Sequence, residues 1–183
     1  MIEIICAIIG LIQGVLVALN KRSNWIAYIV QMVLLFVFSL INNLYGDAGN
    51  SLIYIIFGII GLIYWGKNSN RKITNANTAE RLIACALTFI FSFGLFFVLR
   101  NTDDPLPFLD SFTTVTSFVA TYFMVTKKTD AWIVWFINDI FYIVEYILLP
   151  DKAIYLAILN LIWTALAIYS YFNWRKIKRA QEQ

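Results

Sequence analysis

The sequence predicts an all-α integral membrane protein of seven transmembrane helices. Three observations carry that prediction. Of 183 residues, 61% are apolar and only 14% charged, against roughly a quarter charged in an ordinary soluble domain. Seven low-charge apolar runs each approach the roughly 20 helical residues that a bilayer core about 30 Å thick demands. The basic residues, finally, are sorted between alternate connections as a membrane orientation requires.

The runs fall at 4–20, 25–43, 50–65, 82–99, 108–126, 131–149 and 153–174. Together they use about 140 of the 183 residues, leaving short connections and no room for a soluble domain. The first begins Met1-Ile2-Glu3, with an acid where a signal peptide has basic residues, and carries Gln13, so it reads as a span. The second and third are bounded by Trp25 and Trp65, suited to an interfacial aromatic belt. The stretch 66–81 contains Asn-Ser-Asn-Arg and Asn-Ala-Asn-Thr and reads as a polar linker before the fourth run. Pro105 and Pro107 end the next connection and open the fifth helix. In that helix Thr114, Ser117 and Thr121, like Gln13 in the first, are expected to hydrogen-bond between helices. The seventh run contains no lysine, which excludes a retinal Schiff base of the usual seven-helix form.

With the N-terminus outside, the connections after runs one, three and five and the C-terminal tail lie inside. They hold Lys21, Arg22, Lys67, Arg71, Lys72, Arg81, Lys127, Lys128, Arg175, Lys176, Lys178 and Arg179, which is 12 of the 14 basic residues. Arg100 and Lys152 alone fall outside, with Asp47, Asp103, Asp104 and Asp151. This asymmetry predicts an N-out, C-in topology, and the net charge of +3 then reports membrane orientation and not nucleic-acid binding.

The chain also repeats. Asn20-Lys21-Arg22-Ser23-Asn24-Trp25 resembles Thr126-Lys127-Lys128-Thr129-Asp130-Ala131-Trp132 with one inserted residue, and Trp25-x-x-Tyr28-x-x-Gln31 continues as Trp132-x-x-Trp135-x-x-Asn138. Both units end at an aromatic, Trp65 and Trp174. The expected organisation is a single transporter domain with a three-helix repeat (1–66), a linker and fourth helix (67–104) and a second three-helix repeat (105–183). An odd linker helix makes the repeats parallel, an architecture that places a substrate site at the repeat interface near mid-membrane.

At about 100° per residue, Trp132, Trp135, Asn138, Asp139, Tyr142, Glu145 and Tyr146 share an arc of roughly 140° on the sixth helix, and the rest of that helix is apolar. Trp25, Tyr28, Gln31, Ser39, Asn42 and Asn43 share one arc of the second helix in the same phase. A carboxylate deep in a membrane costs several kcal/mol without partners or water, which marks Asp139 as functional. Rings stack on a flat heteroaromatic ligand or on a cation, while amides and a carboxylate take exocyclic groups and sugar hydroxyls. Asn160 and Trp163, three apart on the last helix, are placed to close such a site. The chain has no histidine, which excludes Ser-His-Asp, Cys-His and His-metal chemistry, and Cys6 and Cys85 read as apolar packing residues. No cofactor or metal is expected, and no Walker loop for ATP is present. An intramembrane aspartyl enzyme would need acids on two facing helices, and a non-transporting sensor would need no polar path; both stand as weaker readings.

Leu106-Pro107-Phe108-Leu109-Asp110-Ser111, Lys127-Lys128, the Trp132-x-x-Trp135 pair and the 3-1-3 helix order resemble the Pnu family of bacterial vitamin and nucleoside transporters, whose layout is similar to a full-length SWEET-type carrier. The resemblance implies facilitated diffusion of nicotinamide riboside, thiamine, riboflavin or a deoxyribonucleoside through the bacterial inner membrane. It further implies trapping by a cytosolic kinase, and a homo-oligomer of trimeric form. In nicotinamide riboside members the polar residue four places after the second tryptophan is an asparagine; here it is Asp139, with Asn138 beside it.

Overall fold

The computed structural model describes residues 2–41, 45–67, 71–149 and 154–183. They form seven helices: α1 (Ile2–Ala18), α2 (Asn24–Ile41), α3 (Tyr45–Lys67), α4 (Thr78–Leu99), α5 (Pro107–Val125), α6 (Asp130–Leu148) and α7 (Ile154–Glu182). Six are long and apolar enough to cross a membrane, and α1, at 17 residues, is shorter. The chain divides into two compact units, 1–72 and 73–183.

In the first unit α2 packs against both α1 and α3. The side chains it turns inward are Trp25, Tyr28, Met32 and Ser39, while Ile26, Val30, Val33, Val37 and Leu40 stand exposed. An outward β-branched and aliphatic stripe with an inward polar and aromatic one is the pattern of a helix whose outer face meets hydrocarbon. Close approach is secured by glycine. A methyl at Gly61 of α3 would fall on the Trp25 ring, and one at Gly10 of α1 would lie 2.6 Å from Gln31 Nε2.

In the second unit the helices pack in chain order, α4 on α5, α5 on α6 and α6 on α7. α5 is the most enclosed helix, and its hydroxyls serve its own backbone. Thr116 donates to Phe112 O (2.6 Å), Ser117 to Thr114 O (2.7 Å) and Thr121 to Ser117 O (2.8 Å). Such bonds satisfy the donor of a buried hydroxyl on its own helix, so Thr121 is met more locally than the sequence reading expects. Thr113 does reach across, donating to Glu145 Oε2 on α6 at 3.1 Å.

The two units share one turn. Asn20 (φ 54°) follows α1 and Lys127 (φ 56°) follows α5, both in the left-handed region. Around Asn20, its N–H bonds Val17 O (2.9 Å) and the Lys21 N–H bonds Leu16 O (2.9 Å). Around Lys127, its N–H bonds Met124 O (3.1 Å) and the Lys128 N–H bonds Phe123 O (2.8 Å). Each is a Schellman motif, which satisfies the orphan carbonyls of a helix end. Asn20 is therefore equivalent to Lys127, and not to Thr126. The equivalence runs at a constant offset of 107 residues into Trp25 and Trp132, so the inserted residue expected from sequence disappears.

From Ile73 onward the polar linker is built into the second unit. The Thr74 N–H bonds Lys127 O (3.1 Å) and the Thr129 N–H bonds Thr74 O (2.9 Å), a parallel bridge against the α5–α6 turn. The buried Asp130 carboxylate accepts from the Ala76 N–H (2.7 Å) and from Arg81 Nε (2.8 Å). Asn77 and Glu80 form a capping box, which starts α4 at Thr78, four residues before the apolar run. Lys128 pairs with Glu80 at 3.0 Å. The Ile73 N–H bonds Gln181 Oε1 (2.9 Å) and Lys178 Nζ donates to Asn75 Oδ1 (3.2 Å), so the end of α7 is tied down as well.

Candidate substrate-binding site

In the second unit the site is built on α6, the helix that packs against both α5 and α7. Its exposed side chains, Ile133, Ile137, Ile140, Val144, Ile147 and Leu148, all come from the apolar arc, and its buried residues are Asp130, Ala131 and Trp132 in the first turn and Asn138 and Asp139 beyond it. The sequence-derived faces are therefore the observed ones. Trp132 is 5% exposed and meets Trp174 edge to face, centroids 5.3 Å apart at 86°. Its Nε1 finds no partner among the described residues. Trp135 and Tyr142 are half-buried, and Tyr142 stacks on Tyr146 at 5.7 Å and 11°.

Asn138 is fully buried, and neither its amide nitrogen nor its amide oxygen has a hydrogen-bond partner among the described residues. Buried amides are nearly always paired, because leaving one unpaired costs about 1–3 kcal/mol per group. Asp139, adjacent and 5% exposed, takes part in none of the ion pairs among the described residues. Two neighbouring polar side chains with open valences, on the helix face that also bears Trp132 and Trp135, have amide valences and a carboxylate to offer a small polar molecule. Among the described residues no group of three or more His, Cys, Asp or Glu is arranged to hold a metal ion.

Asn160 and Trp163 are half-buried on α7. The Asn160 amide donates to Leu156 O of its own helix at 2.9 Å, so its donor is turned to the backbone. In the first unit, Trp25 meets Tyr28 edge to face at 5.8 Å and Trp65 at 5.6 Å, and Tyr28 meets Tyr54 at 6.1 Å. Gln31 is half-buried beside Gly10. Asn42 and Asn43 lie outside the described residues.

The constant offset pairs Trp25 with Trp132, Tyr28 with Trp135, Gln31 with Asn138 and Met32 with Asp139. The Trp25–Trp65 and Trp132–Trp174 contacts have the same geometry, at 84° and 86°. The sequence reading finds the α2 and α6 faces but misses Asp130, Arg81 and the bridge at Thr74. The Asn77-x-x-Glu80 capping pattern was the one local signal that the linker is ordered.

A polar and aromatic face on each of two membrane-length helices is the kind of surface a small-solute carrier needs. The profile of a family described as nicotinamide mononucleotide transporter matches residues 1–176, and the chain belongs to that family. It is a membrane transporter and not an enzyme. The chain is 23% identical to the nicotinamide riboside transporter PnuC of Neisseria mucosa, the match covering 94% of this chain and 71% of the relative. It is 27% identical to the protein of the same name from Haemophilus influenzae, over 96% of this chain and 80% of the relative. Its fold is similar to a crystal structure of the vitamin B3 transporter PnuC, with a TM-score of 0.77 at 22% identity, covering 96% of this chain and 81% of that one.

Proposed function

We propose that this chain carries nicotinamide riboside, or a closely related nucleoside-like vitamin, across the bacterial inner membrane by facilitated diffusion. The observation that carries the reading is the buried, unpartnered Asn138 amide beside Asp139, on the face that also bears Trp132 and Trp135. In nicotinamide riboside the N-ribosylated pyridinium ring is flat and cationic, its carboxamide needs a donor and an acceptor, and its ribose offers hydroxyls. Indole, amide and carboxylate answer those needs in turn. The names of the two relatives support the same choice.

Asp139 favours a second cargo class. A carboxylate also accepts two hydroxyl hydrogen bonds or faces a thiazolium ring, which suits a deoxyribonucleoside or thiamine. In our reading the chain is N-out and C-in, all seven helices span, and α4 joins two parallel three-helix repeats. The shared Schellman turns and matched tryptophan contacts support the repeat. Access alternates between the two sides of the membrane, a cytosolic kinase traps the cargo by phosphorylation without touching the carrier, and the assembly is a homotrimer.

The test is tryptophan fluorescence of the detergent-purified protein, titrated separately with nicotinamide riboside, thymidine, deoxyadenosine, thiamine and riboflavin, followed by liposome uptake. Saturable quenching by one ligand class, lost in Trp135→Ala, identifies the cargo. No response to any of the five overturns the reading of this face as a binding surface.

A further inference from the structure

We propose that the last two turns of α7 form a binding surface for an anionic phospholipid, with the acyl chain along the helix above and the headgroup phosphate on Arg175, Lys176 and Arg179. The hydropathic span expected from sequence ends at Trp174, yet α7 continues to Glu182. At about 100° per residue this extension has two opposite faces. One holds Ser170 and Trp174, both fully buried, with Lys178 bonded to Asn75 and Gln181 accepting the Ile73 N–H. That face is fixed to the linker.

The opposite face carries Ile168 (45% exposed), Tyr169 (53%) and Phe172 (63%), and then, within about 10 Å along the axis, Arg175, Lys176 and Arg179. Apolar and cationic segments therefore follow one another on a single stripe. A shallow recess of about 480 Å³ lies at the junction, lined by Phe172, Arg175, Lys176, Arg179, Ala180 and Gln183. Lys176 and Arg179 have no acidic partner among the described residues, whose ion pairs are Arg81–Asp130, Lys128–Glu80 and Lys178–Glu182. Arg175 lies over the Tyr171 ring at 5.5 Å and donates to Tyr171 Oη at 3.5 Å, and it enters none of the ion pairs among the described residues.

The occupant follows from this chemistry. A soluble anion would satisfy the three cations but has nothing for Ile168, Tyr169 and Phe172. An acidic peptide would not extend up a face turned toward hydrocarbon. A phospholipid with a net negative headgroup matches both segments in their order, and basic clusters beside a membrane attract such lipids by about 1 kcal/mol per residue. Because the linker holds the other face, the three cations are presented without ordering the helix end on binding.

The experiment is thermal unfolding of the full-length protein in detergent supplemented with phosphatidylglycerol, with phosphatidylcholine of the same acyl chains, or with inorganic phosphate. We expect phosphatidylglycerol to raise the midpoint by about 3 °C or more beyond phosphatidylcholine, with no rise from inorganic phosphate. The triple variant Arg175→Gln, Lys176→Gln, Arg179→Gln should lose that increment while unfolding in detergent alone at the wild-type temperature. Lys21→Gln, an exposed cation in the other unit, should keep it. If the triple variant does not fold, the single exposed Lys176→Glu is read instead, with a reduced increment expected. An increment equal for the two lipids, one reproduced by inorganic phosphate, one kept by the triple variant, one unreduced in Lys176→Glu or one lost in Lys21→Gln each overturns the proposal.

Discussion

Arg81 donates its Nε–H to the Asp130 carboxylate at 2.8 Å, joining the first turn of α4 to the first turn of α6 across 49 residues of chain. Asp130 is the buried partner, and its second oxygen holds the Ala76 N–H at 2.7 Å. The carboxylate thus fixes the start of the helix that bears Trp132, Asn138 and Asp139.

The two partners of that pair should not be equivalent to substitution. Arg81 is 55% exposed in its side chain against 9% for Asp130. Arg81→Gln is expected to cost under about 1 kcal/mol, as exposed ion pairs do. Asp130→Ala strands a buried backbone N–H and should cost about 1–3 kcal/mol. Thermal unfolding midpoints of the two variants, compared at one detergent concentration, check the order.

A methyl at Gly61 should be destabilising although alanine is the better helix former. The buried Trp25 ring occupies the space a Cβ would take, and overpacking of this kind costs about 1–3 kcal/mol. Gly94→Ala, where nothing lies within 4 Å of an added Cβ, is the control and should be neutral or up to about 1 kcal/mol stabilising. The same unfolding assay distinguishes them.

The left-handed turn residue of the first unit gives a third prediction. Asn20 sits at φ 54°, a conformation that costs an ordinary L residue about 1–2 kcal/mol and glycine almost nothing. Asn20→Val should lower the midpoint clearly and Asn20→Gly should hold or raise it. Equal effects of the two would show that the side chain, not the backbone, decides the position.

Two substitutions on α6 test the proposed binding surface directly. Trp135→Ala removes a stacking surface of about 0.5–1.5 kcal/mol beyond area and should weaken uptake roughly tenfold. Asp139→Asn keeps shape but removes the charge, and should weaken a cationic cargo by about tenfold as well, since a charge-assisted hydrogen bond is roughly twice a neutral one. Initial uptake rates in liposomes, beside unchanged unfolding midpoints, are the readout. Wild-type uptake by both folded variants would remove this face from consideration.

How much of this was legible in the sequence depends on the distance over which each feature is made. The apolar runs and the two phased faces are local and periodic, and they reappear with Ile133, Ile137 and Ile140 outward and Asn138 and Asp139 inward. Helix ends were less legible. α4 starts early because Asn77 and Glu80 cap it, and α7 runs on because good helix formers follow Trp174 and Gln181 is held by Ile73. The bridge at Thr74 was not legible at all, since its partners, like Asp130 for Arg81 and Gln181 for Ile73, lie 49 to 108 residues away and leave no periodic trace. Nor does composition foretell that the Asn160 amide bonds its own helix.

The gap-free offset between the two turns has one more consequence. Turns that match residue for residue, Asn20 with Lys127, let the two helices that follow be read against each other position by position. Here the two helices agree in the turn that precedes them and in an edge-to-face tryptophan contact, but Met32 stands where the other has Asp139, both buried. A thioether and a carboxylate do not exchange roles, so two faces alike in turn and in tryptophan packing differ in kind at that single position.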